Sequence, residues 1–272
     1  MRWDWYQATV PAASDRVIAA LVAGYPGAEV HQGRGLHGFA YRSDLQAGGD
    51  TVATVLHGGS NPMPNAWASG ELAPRFAGVL RDVFPQHRVT RFDACQDFEE
   101  PGVFDRLSKM VLSFADAHKL KVSHAGDWHR GQDGRTLYLG SRSSPVLARL
   151  YEKGIQQREA AQTLGEPVRA DWVRLELRVR PEGPAREVCA TMQPEQAWGL
   201  SRWSPQLLRA VMATEVRRVS MHNSRVPDAH LSFHHMVGQY ANVLNFMRAE
   251  AGGWREIGEL IGQLLERSER LH

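Results

Sequence analysis

The sequence predicts an α+β fold: a mainly antiparallel or mixed central β-sheet with helices packed on it, followed by a helical C-terminal part. Three observations predict it. Thr136–Lys153 (TLYLGSRSSPVLARLYEK) reads as two short extended runs parted by Gly, Ser and Pro, the pattern of strand, turn and strand. Trp172–Arg180 (WVRLELRVR) alternates strictly, with Val173, Leu175, Leu177 and Val179 on one side and Arg174, Glu176, Arg178 and Arg180 on the other. After Pro181 the alternation stops. Apolar residues then recur at three- and four-residue spacing over Arg186–Met192, Pro205–Ala213, Ala229–Ala251 and Trp254–Leu271, which reads as helices. A boundary near Arg180–Pro184 therefore separates residues 1–182, the sheet part, from 183–272, which forms either a small helical domain or the sheet's remaining cover.

Within the first part, Trp3–Val10 alternates as a strand, and Ser14-Asp15 opens a helix that ends at Gly24, before Pro26. Gln32–Gly38 is a Gly-rich turn that lacks the glycine spacing and following helix of a nucleotide loop. Gly38–Arg42 leads into a strand, Thr51–Leu56 reads as another, Gly59–Ser69 as a loop, and Glu71–Phe84 as a helix stopped by Pro85. Arg88–Asp97 is a strand, Val103–His118 a helix, Lys121–Ser123 a strand, and His124–Gly134 a polar loop leading into the hairpin.

With 272 residues the chain is long enough for one large domain or two small ones, and 43% hydrophobic against 23% charged residues is ordinary for a globular protein. A formal charge of +2 excludes a histone-like polycation. Charge is unevenly spread, however: Arg142 to Arg186 holds nine Lys and Arg against six Asp and Glu, a stripe of the kind phosphate binding uses. Cys95 and Cys189 are far apart and show no zinc spacing. No apolar run of membrane-spanning length and no apolar signal core are visible, so a cytoplasmic protein is expected. His230, His234 and His235 lie near one another, but without a HExxH arrangement they read as polar helix surface.

On the second hairpin strand Arg149, Tyr151 and Lys153 share a face, because side chains alternate with period 2. A phenol between two cations suits an anionic substrate, and the cations would favour its ionised form. Asp93, Asp97 and Glu176 fall on polar strand faces; gathered in one sheet, they would hold a hard divalent cation through oxygen. A cation, a tyrosine and arginines are the parts needed for attack on a phosphodiester.

Four motifs occur in order: R-x-D-x-x-x-D (Arg91, Asp93, Asp97), Y-L-G-S-R-x-S (Tyr138–Ser144), R-x-Y-x-K (Arg149, Tyr151, Lys153) and W-x-R-x-E-x-R (Trp172, Arg174, Glu176, Arg178). Together they resemble the replication initiation factor family (Rep_trans) of rolling-circle initiators from small plasmids and filamentous phages, with related relaxases of integrative elements. The resemblance spans about Phe39 to Arg180. It implies a site-specific DNA nickase that joins a tyrosine to a 5′ phosphate with Mg²⁺ or Mn²⁺. Tyr151 is then the expected nucleophile and Tyr138 the alternative, assisted by Arg149 and Lys153. Asp93, Asp97 and Glu176 are the expected metal ligands. Arg91, Arg142, Ser144, Arg174 and Arg178 are the expected DNA contacts, with Arg142, Arg174 and Arg178 binding phosphate or pairing with the carboxylates. The partner is single-stranded or hairpin origin DNA, with a helicase and a second copy of the chain as further expected partners, and residues 183–272 as the expected origin reader. Two other readings stand beside this one: a relaxase for transfer of an integrative element, and a non-catalytic DNA-binding regulator on the same scaffold.

Overall fold

The computed structural model describes residues 1–130, 133–213, 216, 218–219, 236–237 and 240–269. Its centre is one sheet of ten strands with every neighbouring pair antiparallel, in the order β2-β3-β4-β5-β1-β6-β10-β9-β8-β7. The strands are β1 (Arg2–Thr9), β2 (Glu29–Arg34), β3 (Tyr41–Ala47), β4 (Asp50–His57), β5 (Asn65–Ser69), β6 (Arg88–Glu99), β7 (Val122–Gly126), β8 (Arg135–Leu139), β9 (Val146–Tyr151) and β10 (Trp172–Val179). The expected α+β class holds. β6, the longest strand, lies beside β10 near the middle of the sheet.

One face of the sheet is apolar. Trp3, Tyr6 and Ala8 of β1, Phe92 and Ala94 of β6, Leu175 and Leu177 of β10, and Leu137 and Leu139 of β8 are buried there. Burying a Leu or Phe side chain contributes about 1.5–3 kcal/mol, so this layer supplies most of the drive to fold. Helices α1 (Ser14–Gly24), α2 (Ala73–Val83), α3 (Val103–Ala117), α6 (Ala185–Ala190), α7 (Pro194–Ala197) and α8 (Ser204–Met212) cover this side, packing on the strands or on one another. Short helices α4 (Lys153–Gln156) and α5 (Arg158–Thr163) follow β9, and α4 packs against β10. The segment just past Pro181 thus serves as sheet cover: α6 packs on β6, and Trp198, just beyond α7, is fully buried, its carbonyl accepting from the Ser204 hydroxyl at 2.7 Å.

Two strands appear where loops were expected. β2 is exposed along its whole length, so no apolar alternation marks it. β5 (NAWAS) puts only Ala66 and Ala68 on the buried side, and alanine carries little strand preference. A bulge between Trp3 and Trp5 sets the faces of β1: Trp3 pairs with Ala94 on the apolar side and Trp5 with Asp93 on the other.

The chain divides into two compact units, Met1–Asn223 and Ser224–His272. In the second, α9 (Ala241–Ala251) ends at Gly252, whose φ of 92° suits a helix terminus, and α10 (Trp254–Glu269) packs on α9 with Arg248 5.4 Å from the Trp254 ring centre. His230, His234 and His235 lie outside the described residues.

Candidate active site on the polar face of the sheet

The register gathers most of the expected site residues on the other face. On β10, Arg174, Glu176 and Arg178 stand opposite Tyr151, Arg149 and Leu147 of β9, and opposite Asp97, Cys95 and Asp93 of β6. Tyr138 of β8 stands opposite Arg149. Lys153 falls past the strand end, as the first residue of α4, yet its Nζ still lies 5.8 Å from the Tyr151 ring centre. Arg142 and Ser144 sit in the β8–β9 turn, Arg142 exposed and 5.2 Å from the Tyr138 ring centre.

Each of the three expected ligand carboxylates, Asp93, Asp97 and Glu176, is taken by an arginine. Arg149 donates through two nitrogens to Glu176, each at 2.7 Å. Arg174 donates to both oxygens of Asp97 at 2.6 and 2.8 Å, and to Asp4 at 2.6 Å. Arg91 grips Asp93 through two nitrogens, and Arg178 approaches the same carboxylate at 3.6 Å. The Tyr151 hydroxyl donates to Glu176 Oε2 at 3.4 Å, with the Arg149 guanidinium 4.5 Å from its ring centre. Asp93, Asp97 and Glu176 therefore share the face without converging. Among the described residues no three His, Cys, Asp or Glu side chains are grouped to hold an ion. As arranged, these donors do not fit the divalent cation that the resemblance implies. Arg174, 1% exposed, makes the carboxylate pairing that was one of its two expected roles.

Electrostatics also corrects an expectation. The cations beside Tyr151 do not lower its phenol overall. Burial pushes it well above the ordinary tyrosine value, Glu176 adds to the rise, and Arg149 and Arg174 oppose it only in part. At Glu176 burial, then Asp93, push the carboxyl upward against the pull of Arg149. Burial disfavours the charge on Arg149, but Glu176 outweighs it and holds the guanidinium cationic. An arginine that keeps its proton and donates twice is met best by a carboxylate, so Glu176 is ionised while Arg149 holds it. Burial alone would raise Asp97, yet the hydrogen bonds and charge of Arg174, with Trp172 and Arg2, hold it below the usual range. Burial first, then Arg174, lowers the Lys153 ammonium and makes it a readier proton donor. At Arg178 burial again opposes charge; Asp93 supports it, but Arg91 and Arg149 add to the cost.

Several positioning residues escaped the sequence reading. Asp4 is the extra residue at the β1 bulge and anchors Arg174; Arg2 beside it binds Glu71 at 2.7 Å. Arg135 ties Glu152, the residue after Tyr151, to Asp105 of α3, with both contacts at 2.7 Å. Gly154 allows the closest approach: a Cβ there would lie 1.6 Å from the Arg169 carbonyl oxygen. Arg169 lies over Trp172, and both help line an open cavity of about 520 Å³ together with Arg2, Asp4, Lys153 and Arg174. Only contacts between strands distant in sequence reveal these roles.

Residues 87–197 match the family described as replication initiation factor. The match begins later than the motif resemblance and runs past it, through α6 and α7. No curated protein matches the chain. Among solved structures, the rolling-circle replication initiator protein from Geobacillus stearothermophilus aligns with a TM-score of 0.51 and 19% identity, over 82% of this chain and 88% of that one. The segment that carries Tyr151, Arg149 and Glu176 is thus similar to the replication initiation factor family, and the chain around it shares the fold of a solved rolling-circle initiator.

Proposed function

We propose that this protein nicks single-stranded or hairpin DNA at a replication origin, joining Tyr151 to a 5′ phosphate, and so starts rolling-circle replication. The observation that carries the reading is the setting of Tyr151: within the matched segment, its hydroxyl on Glu176, flanked by Arg149 and Lys153. Its phenol is held neutral, so attack requires a proton acceptor. A phosphodiester entering from the cavity beside Lys153 and Arg174 draws Arg149 off Glu176, because phosphate and carboxylate compete for the same guanidinium fork. Glu176, then buried without its partner, takes the phenolic proton. The tyrosine oxygen bonds to phosphorus as the bond from phosphorus to the 3′ oxygen breaks, and Lys153 protonates that oxygen. Reversal of the same steps rejoins the strand. No step is routed through a metal ion.

The test incubates the full chain with supercoiled origin DNA, with Mg²⁺ or Mn²⁺ and separately in EDTA, and measures nicking and a 5′ protein–DNA adduct. Tyr151→Phe keeps DNA binding and loses both products. Cleavage retained by that variant and lost in Tyr138→Phe moves the nucleophile to Tyr138. Loss of activity in EDTA places a cation in the reaction and requires the arginines to release their carboxylates first.

A further inference from the structure

Outside the matched segment, the polar face carries a second feature. Trp5 of β1 and Trp67 of β5 lie parallel, their ring centres 6.3 Å apart at an interplanar angle of 9°. The Arg91 guanidinium lies 4.4 Å from the Trp5 ring centre. Both rings are half-buried and point away from the apolar core, where Trp3 and Tyr6 are enclosed. Keeping two tryptophans on a polar face leaves apolar surface wet, and a core does not need it.

The register links these rings to the nucleophile. Arg149 on β9, Arg178 on β10 and Arg91 on β6 each step one strand across and two residues along, and the next strands bring Gln7 and then Trp67. With strands about 4.8 Å apart and about 3.3 Å per residue, each step spans roughly 8 Å, the scale of one nucleotide in an extended strand. Trp5 lies about 20 Å from Tyr151 by the same spacings. Along this diagonal three guanidiniums face two carboxylates, Asp93 and Glu176, and the buried Arg178 Nε has no hydrogen-bond acceptor.

We infer that Trp5 and Trp67 form a base-stacking platform for single-stranded DNA, with Arg149, Arg178 and Arg91 guiding the phosphates between Tyr151 and the two rings. It rests on the functional reading above and adds a subsite to it. Aromatic faces accept any base, so the platform holds the strand without choosing its sequence.

The test titrates the full chain, in EDTA, with labelled (dT)16 and with an abasic oligodeoxyribose phosphate of equal length. Wild type prefers (dT)16. The double variant W5A/W67A binds (dT)16 roughly 10- to 100-fold more weakly and loses that preference, while its salt slope is unchanged because no phosphate contact is removed. Trp5→Phe and Trp67→Phe retain most of the affinity, since a phenyl face still stacks. A folded double variant that binds (dT)16 like wild type overturns the platform. So does a wild type that forms the Tyr151 adduct yet shows no preference for bases over the abasic backbone, a readout independent of how the variants fold. If wild type binds neither oligonucleotide, the functional reading falls with it.

Discussion

Along β10 the two faces are equally closed to water and are held by opposite physics. Leu175 and Leu177 are fully buried on one side; Arg174 and Glu176, 1% and 0% exposed, are buried on the other. The apolar side is non-directional, and each leucine contributes wherever neighbouring carbon surrounds it. On the polar side each charge is tolerable only because a named partner stands opposite it, so its stability is conditional on pairs. The lesson is that the leucine face can serve only as foundation. The arginine–carboxylate face is held by partners that can be exchanged, because phosphate and carboxylate compete for the same guanidinium fork.

Removing a partner should break the conditional face hardest. Arg174→Ala strands Asp97 and Asp4 and is expected to cost about 3–5 kcal/mol, read as a lower denaturant midpoint. Its signature is pH dependence. Arg174 holds the Asp97 carboxyl below its unfolded value, so that pair's stability is present above the unfolded value and is lost as pH falls through the folded one. The variant should lack that acid limb. An unchanged limb would mean that the pair does not set it.

Leu177→Ala probes the foundation. It should cost about 2–5 kcal/mol, with a loss equal at pH 5 and pH 8 and at low and high salt, because no charge is involved. A strongly pH-dependent loss would show that the two faces are energetically coupled through the strand.

The smallest effect belongs to a buried polar contact within the apolar side. His87 accepts or donates at 2.8 Å with the Tyr6 hydroxyl and lies 2.7 Å from the Phe84 carbonyl oxygen. Burial lowers its pKa below the ordinary 6.5, so the native state keeps it neutral. Unfolded chains bind that proton first, and stability should decline as pH falls from about 6.5 toward the folded value. His87→Gln should flatten this segment of the stability–pH curve. If the decline persists in the variant, another group is responsible.

How much was legible in the sequence differs between the faces for the same reason. Period-2 alternation marks β10, β6 and the β8–β9 hairpin, because burial of one side imposes it on the chain locally. Exposed β2 and alanine-rich β5 carried no such mark, and the bulge that turns Trp5 away from Trp3 is visible only in the pairing with β6. The motifs pointed to Tyr151, Arg149 and Glu176 as a set, and their register brings them together. Their mutual arrangement was not legible. The charge state of a phenol depends on how deeply three strands bury it, and whether a carboxylate faces a metal or an arginine depends on which strand lies beside it. By itself, then, the sequence determined the class of fold, the polar and apolar sides of its central strands and the residue types of the site. The tertiary structure alone decided that Arg149, Arg174 and Arg91 occupy the carboxylates, that Asp4 anchors Arg174 while Gly154 admits the Arg169 backbone, and that two tryptophans lie on the same face as Tyr151. Alternation is a property of neighbours in the chain, whereas pairing, burial and pKa are properties of neighbours in space.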